Sequence, residues 1–385
     1  MTQINTPMKL ALLCTSISRG GLELYTMRLA RSLKKRGHEV IVISQANSFL
    51  EEQLKAQNIK CLTVNKSYQY LCFYTAFKCS KILKELGFEY LMVTNTRDID
   101  LCAFTKSFFM QELTLLYMQQ MQLGLIKKSI YFDWKFSKLD RWYAPLEWLR
   151  EEVCANTNMN QEKIKILPVT IETKSFLDFT EGKEQSRKLF ELPEDTFLFG
   201  FIGRIDKNKC PEVLLSAFEK LKKDYLPNES ISLLIAGDKT SDKGREFAFA
   251  QKFELAIANS PYTSCIFRFP FIENVNAAFK ALDIFVMSSH KETIGLVTQE
   301  AMALGTVVLG ADSGGTLELL NYGKCGYIFK SRDVDDLCEK MHRAYLDRNS
   351  HNEIREKAIK YVVENFDRAI SCQKLEQEME TLQSL

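Results

Sequence analysis

Short apolar runs alternate with helical patterns along almost the whole chain, in two successive series. Alternation of this kind specifies parallel sheets covered by helices on both faces, because strands buried on both sides read as continuous apolar runs. In the first series, strands are expected at 9–14, 39–44, 60–64, 90–95, 113–117, 152–155 and 164–168. A helix at 22–36 carries Leu22, Tyr25, Leu29 and Leu33 at helical spacing, has cations in its last turn and is ended by Gly37. The stretch 172–194 is charged and less apolar, and is read as a linker. The second series sets strands at 196–202, 231–236, 265–269, 284–287 and 307–309. Helices are expected between them at 211–223, 245–258, 275–281 and 296–304, and after the run 326–329 at 336–347, 354–366 and 370–385.

A chain of 385 residues is too long for one ordinary core, so two domains are expected, at 1–175 and 195–367. Both are expected to be α/β and Rossmann-like. With 46% hydrophobic and 26% charged residues, the composition is that of a soluble globular protein, and no apolar run reaches the ~18 residues of a membrane span. The apolar stretch after Met8 is too short for a signal peptide and suits a buried first strand. Eleven scattered cysteines with no C-x-x-C pair argue against disulfide and zinc frameworks and for reduced thiols in a cytoplasmic protein. Charge is unevenly divided. Residues 1–175 hold 24 Lys and Arg against 16 Asp and Glu, whereas the remainder holds 27 against 33. The basic front half suggests an anionic partner such as a membrane surface or a phosphorylated lipid carrier, or else two unequal solvated surfaces.

Candidate chemistry sits where strands end. Gly20 and Gly21 lie between the first strand and its helix, where a small turn and a helix N-terminus admit an anion; a plain tight turn is the alternative. No G-x-G-x-x-G occurs, so a dinucleotide fingerprint is absent. Gly203, Arg204 and Lys209 follow the first strand of the second series, and the two cations suit a diphosphate, with Lys207 a competitor for the Lys role. Glu292 and Glu300 flank Gly295 and Leu296, where a loop becomes a helix and backbone N–H groups are free. Asp312-Ser-Gly-Gly-Thr-Leu-Glu318 and Leu234-Ile-Ala-Gly-Asp238 are further strand ends rich in small residues.

In this order, Gly-Gly, Gly-Arg-x4-Lys, Glu-x7-Glu with Ala-Met-Ala-x-Gly, and Gly-Gly-x-x-Glu resemble the retaining GT-B glycosyltransferases of family 4, the group 1 glycosyl transferases. The likeness is strong over 199–329 and weaker over 20–40, where Leu29-Ala-x-x-Leu33 and Gly37-His-Glu-Val40 match. It implies two Rossmann-like domains facing across a cleft, with the C-terminal helix 368–385 crossing back to the first domain. It also implies a nucleotide-sugar donor on the second domain, a glycan or lipid-linked acceptor on the first, and neither metal nor other cofactor. Arg204 and Lys209 would hold the diphosphate, Glu300 the ribose and Glu292 the donor sugar. The amides of Gly295 and Leu296 would meet the phosphate, and Gly20 and Gly21 would close on it. The chain departs from the family at Gln120, which stands where a His is usual, at Thr293-Ile294 in place of Gly-Phe, at Ser288-Ser289 in place of Pro-Ser, at Cys210 in place of a Gly and at Val307 in place of a Pro. A Gln can hydrogen-bond a sugar hydroxyl but carries no proton or charge.

Two stretches interleave aromatics with cations. One runs from Tyr68 and Tyr70 through Phe73, Tyr74 and Phe77 to Lys78, Lys81 and Lys84. The other spans 127–148 and includes Lys127, Lys128, Tyr131, Trp134, Lys135, Phe136, Trp142 and Trp148. Such mixtures suit a membrane–water interface, a sugar cleft, or an ordinary core with a solvated face. Peripheral contact with an anionic inner leaflet and a role in bacterial surface polysaccharide assembly are expected, and no nucleic acid is. The rival readings are another GT-B enzyme, such as a sugar-nucleotide epimerase or a phosphorylase, and a non-catalytic nucleotide-binding or scaffold protein.

Overall fold

The computed structural model describes residues 7–65, 72–239 and 244–383, so Tyr68 and Tyr70 lie outside the described residues. The chain forms two compact units, Met1–Val169 with Ser371–Leu385, and Thr170–Ile370.

The first unit is built on seven parallel strands: β1 (Lys9–Cys14), β2 (Glu39–Gln45), β3 (Cys61–Val64), β4 (Tyr90–Val93), β5 (Thr114–Met118), β6 (Arg141–Ala144) and β7 (Ile164–Ile166). Their order is β3-β2-β1-β4-β5-β6-β7, so the winding reverses between β1 and β4. Leu10 to Cys14 are all buried, as an apolar run covered on both faces requires. One expectation fails here. Residues 152–155 are not a strand but part of the helix Glu147–Asn156, and the sixth strand is β6. Leu149 and Val153, four residues apart, bury one face of that helix.

The first helix, Gly21–Lys35, starts after the Gly20 cap and buries Tyr25, Leu29 and Leu33. The final helix, Arg368–Gln383, enters the first unit at Ser371. There Arg36 donates two 2.6 Å hydrogen bonds to Glu376, and His38 Nε2 lies 2.8 Å from the same carboxylate. The Met8 amide donates to His38 Nδ1 at 3.2 Å, so Nε2 is the ring nitrogen that donates to Glu376. The Gly-His pair after the first helix thus anchors the last one.

The second unit carries six parallel strands: β8 (Phe197–Ile202), β9 (Ile231–Ala236), β10 (Ile266–Phe269), β11 (Ile284–Met287), β12 (Val307–Ala311) and β13 (Tyr327–Phe329). Their order is β10-β9-β8-β11-β12-β13, with the reversal between β8 and β11. The stretch 172–194, read as a linker, belongs to this unit. It contains the helices Thr173–Leu177 and Lys183–Leu189, both within this unit. Its charges point inward as well as outward. Arg187 is buried and donates to the Ala281 carbonyl at 3.0 Å and to Asp283 at 2.8 Å. Asp283 also accepts the Leu198 amide at 2.7 Å, which ties the helix to the start of β8. Among the described residues, no helix is long and apolar enough to cross a membrane.

Candidate active site

The reversal between β8 and β11 leaves a crevice beyond the carboxyl ends of these strands, where open α/β sheets bind ligands. A cavity of about 190 Å³ occupies it, lined by Phe201, Gly203, Arg204, Lys209, Ser289 and Val297 among others. Three of the sequence-predicted donor residues therefore meet in one place: Gly203, Arg204 and Lys209.

The loop after β8 is shaped by Asp206, a residue to which the sequence reading assigned no role. Its buried carboxylate accepts the Asn208 and Lys209 amides at 2.9 and 3.1 Å. This is an Asx-type turn, and Asp two residues before Asn was the available signal. It turns Lys209 inward, where it lines the cavity, and leaves Lys207 exposed. Arg204 remains largely open to solvent, with Asp206 3.4 Å away.

The loop after β11 is stitched to the first. Ser288 Oγ donates to the Lys209 carbonyl at 2.7 Å, and the His290 amide donates to the Asn208 carbonyl at 2.7 Å. Lys209 Nζ then lies 2.5 Å from Glu292 Oε2, an ion pair between residues 83 apart in sequence. Burial alone would raise the Glu292 pKa. The Lys209 ammonium, the Ser289 hydroxyl and the Gly295 amide outweigh it and hold the carboxyl below its ordinary range. The His290 imidazole shifts the opposite way to a paired histidine: burial, then Arg332 and Lys291, lower its pKa.

Gly295 caps the helix Leu296–Ala303 in the left-handed region, with φ of +66°. Glu300 sits in the second turn of that helix, and Leu296 opens it. The Gly-Gly turn after β12 has a precise structural use. Gly314, at φ +62°, bridges Glu292 in a parallel pairing, and the Gly315 amide donates to the Glu292 carbonyl at 2.8 Å. A Cβ at Gly314 would come within 2.7 Å of the Glu292 nitrogen and the Lys291 carbonyl carbon. Gly314→Ala is therefore expected to lower the stability of the second unit by about 1–3 kcal/mol and to displace Glu292. A lowered melting temperature checks the first effect, and a weakened Lys209–Glu292 contact in a structure of the variant checks the second.

Gly20, Gly21 and Gln120 belong to the first unit. The Gly20 amide donates to the buried Glu23 at 2.9 Å, and Gly21 begins the first helix with open space where a Cβ would stand. At the end of β5, Gln119 and Gln120 differ sharply. Gln119 is fully buried and accepts the Trp142 indole at 3.0 Å, a structural role. The Gln120 amide nitrogen is buried with no hydrogen-bond partner. The 127–148 stretch is also partly core: Trp142 and Phe136 are buried, and Lys135 is buried 3.2 Å from Asp100.

Comparison with known proteins identifies this architecture. The family described as "Glycosyl transferases group 1" matches residues 182–361, and "Glycosyl transferase 4-like" matches 13–107. The D-inositol 3-phosphate glycosyltransferase of Corynebacterium jeikeium is 30% identical over 178 residues, covering 44% of this chain and 41% of that protein. The lipopolysaccharide 1,2-N-acetylglucosaminetransferase of Salmonella typhimurium is 27% identical over 227 residues, covering 57% and 58%. The chain thus spans less than two thirds of the length of the curated relatives it first matches. The crystal structure of HepE from Anabaena in complex with UDP superposes with a TM-score of 0.84 at 17% identity, over 98% of this chain and 100% of that one. A glycosyltransferase from Rickettsia africae superposes with a TM-score of 0.85 at 19% identity, over 98% and 99%. With its two wound parallel sheets and a final helix returning to the first unit, the chain belongs to the group 1 glycosyl transferases of GT-B fold.

Proposed function

We propose that the chain moves a sugar from a nucleotide-sugar donor to a hydroxyl of a glycan or lipid-linked acceptor, with retention of anomeric configuration and without a metal. The carrying observation is the Lys209–Glu292 pair beside Arg204, at the winding reversal of the six-stranded sheet. Lys209 and Arg204 supply the positive charge that a departing nucleoside diphosphate needs. Glu292, ionised among these cations, would face the donor sugar and oppose positive charge growing at its anomeric carbon. Glu300 would bind the ribose hydroxyls, and Gln120, with its unpartnered amide, a sugar hydroxyl.

A UDP-sugar is the favoured donor and a GDP-sugar the alternative; HepE was crystallised with UDP and with UDP-glucose. The name of the Salmonella relative supports a surface polysaccharide or lipopolysaccharide setting, and the proposal places the protein on the cytoplasmic side in peripheral contact with the membrane.

Thermal-shift titration with UDP-, GDP- and ADP-sugars tests the donor. The correct nucleotide at a hundredfold excess over its Kd should stabilise the protein by about 2.7 kcal/mol. Melting curves unmoved by all three would sink the proposal. Product analysis then separates transfer from binding alone.

A further inference from the structure

The outer surface of the helix Phe73–Leu86 is unlike that of an ordinary solvated helix. Its exposed stripe begins with Phe73, Tyr74 and Phe77, which are 42%, 70% and 51% accessible, and continues into exposed Lys78, Lys81 and Lys84. These rings do not stand singly. Phe73 packs 5.3 Å from Phe108, itself 57% accessible, and 4.6 Å from Phe104. Phe104 meets Trp134 at 5.1 Å, and Trp134 meets Tyr131 at 6.3 Å. The ring network thus joins the helix to the segment in which Leu125, Ile126 and Ile130 are 77%, 73% and 90% accessible. A contiguous apolar face of this kind marks an interaction site rather than chance exposure.

Cations set its partner. Lys78 Nζ lies 4.5 Å from the centre of the Tyr74 ring, and Lys127 Nζ lies 5.5 Å from that of Phe132. Lys128 is exposed beside Ile130. Aromatic and aliphatic side chains flanked by lysines match the boundary of a negatively charged bilayer, where rings sit at headgroup level and ammonium groups meet phosphates. The carboxylates among these rings are engaged within the protein: Asp100 accepts from Tyr131 and lies 3.2 Å from Lys135, and Asp133 accepts from the Asn158 amide at 3.1 and 3.2 Å. We infer that this face of the first unit, centred on Tyr74, Phe77, Phe108 and Ile130, docks on anionic phospholipid. The inference deepens the proposed peripheral membrane contact and locates it.

Vesicle co-sedimentation tests it. The wild-type protein is expected to sediment with phosphatidylglycerol-containing vesicles at low salt, to be released by high salt, and to ignore pure phosphatidylcholine vesicles. Tyr74→Ser/Phe77→Ser and, separately, Lys78→Glu/Lys81→Glu should each weaken partitioning at least about tenfold. Both variants change exposed side chains, and both should keep the wild-type melting curve and nucleotide-induced thermal shift. Unchanged partitioning in both variants, equal binding to both vesicle types, or no wild-type binding at low salt would each overturn docking on anionic lipid. Because the nucleotide shift is read on the same samples, such a failure is distinguishable from a failure of the donor assignment. Concentration-dependent dimerisation that Tyr74→Ser/Phe77→Ser abolishes, without vesicle binding, would assign the face to a second copy of the chain and overturn the inference.

Discussion

Glu292→Gln is expected to reduce sugar transfer by about 10²–10³-fold while nucleotide binding survives. The substitution keeps the shape of the side chain and removes its charge. In the free protein that charge is held by Lys209 at 2.5 Å, by Ser289 and by the Gly295 amide. A donor diphosphate would compete for the same lysine. The proposed role of Glu292 is thus double: it keeps the Lys209 ammonium in the cavity before the donor arrives, and it opposes positive charge on the sugar as the bond to phosphate breaks. Glutamine can still orient the ammonium through its carbonyl oxygen but cannot offset charge, so the loss should fall on kcat more than on nucleotide affinity. Lys209→Ala should do the reverse in part. It would weaken nucleoside diphosphate binding and leave a mostly buried carboxylate without its cation, raising the Glu292 pKa. Wild-type transfer rates in Glu292→Gln would remove Glu292 from the chemistry.

The contrast between what could and could not be read beforehand has physical causes. Strands β8 to β12 are near-continuous apolar runs between polar turns, and nothing else packs into a doubly covered sheet, so their positions were legible to within one or two residues. Residues 152–155 were misread because Val153-Cys154-Ala155 is apolar over too short a window to separate the two periods. Leu149 and Val153 share a helix face only when the window is widened upstream. Strand β6, Arg141-Trp142-Tyr143-Ala144, was hidden inside a stretch whose aromatics and cations suit a membrane interface, a sugar cleft or a core alike. Its Trp142 is core, and its indole donates to Gln119. At the site, residue types and order pointed to anion chemistry, but the contacts that assemble it are long-range. The bond from Ser288 to the Lys209 carbonyl and the pairing of Gly314 with Glu292 depend on which strand ends lie side by side, which follows from sheet order and not from any local signal.

The same holds for the anchor of the final helix, where the second large effect is expected. Glu376→Ala should destabilise the first unit by about 3 kcal/mol at neutral pH. The Glu376 side chain is 10% accessible, and it joins Arg36 and His38 to a helix that begins more than 300 residues later. Removing it leaves a guanidinium and an imidazole N–H without their acceptor, and this unpaired burial carries most of the cost. Burial would raise the Glu376 pKa, but the hydrogen bonds from Arg36 and His38, with the Arg36 charge, prevail and hold it below the ordinary carboxylate range. A carboxyl with a depressed folded pKa stabilises the fold fully above its unfolded value of about 4.3, and this contribution drains away as pH falls through the folded value. Wild-type stability should therefore decline on acidification below about pH 4.3 more steeply than that of Glu376→Ala, and the two curves should converge in acid. Glu376→Gln, which retains acceptor geometry without charge, should lie between them at neutral pH. Melting temperatures across this range measure all three, with hydrogen exchange of the last helix as a local readout. A neutral-pH melting temperature for Glu376→Ala equal to that of the wild type would mean that the helix is held by its apolar residues, Cys372, Leu375 and Met379, and not by the ion pair.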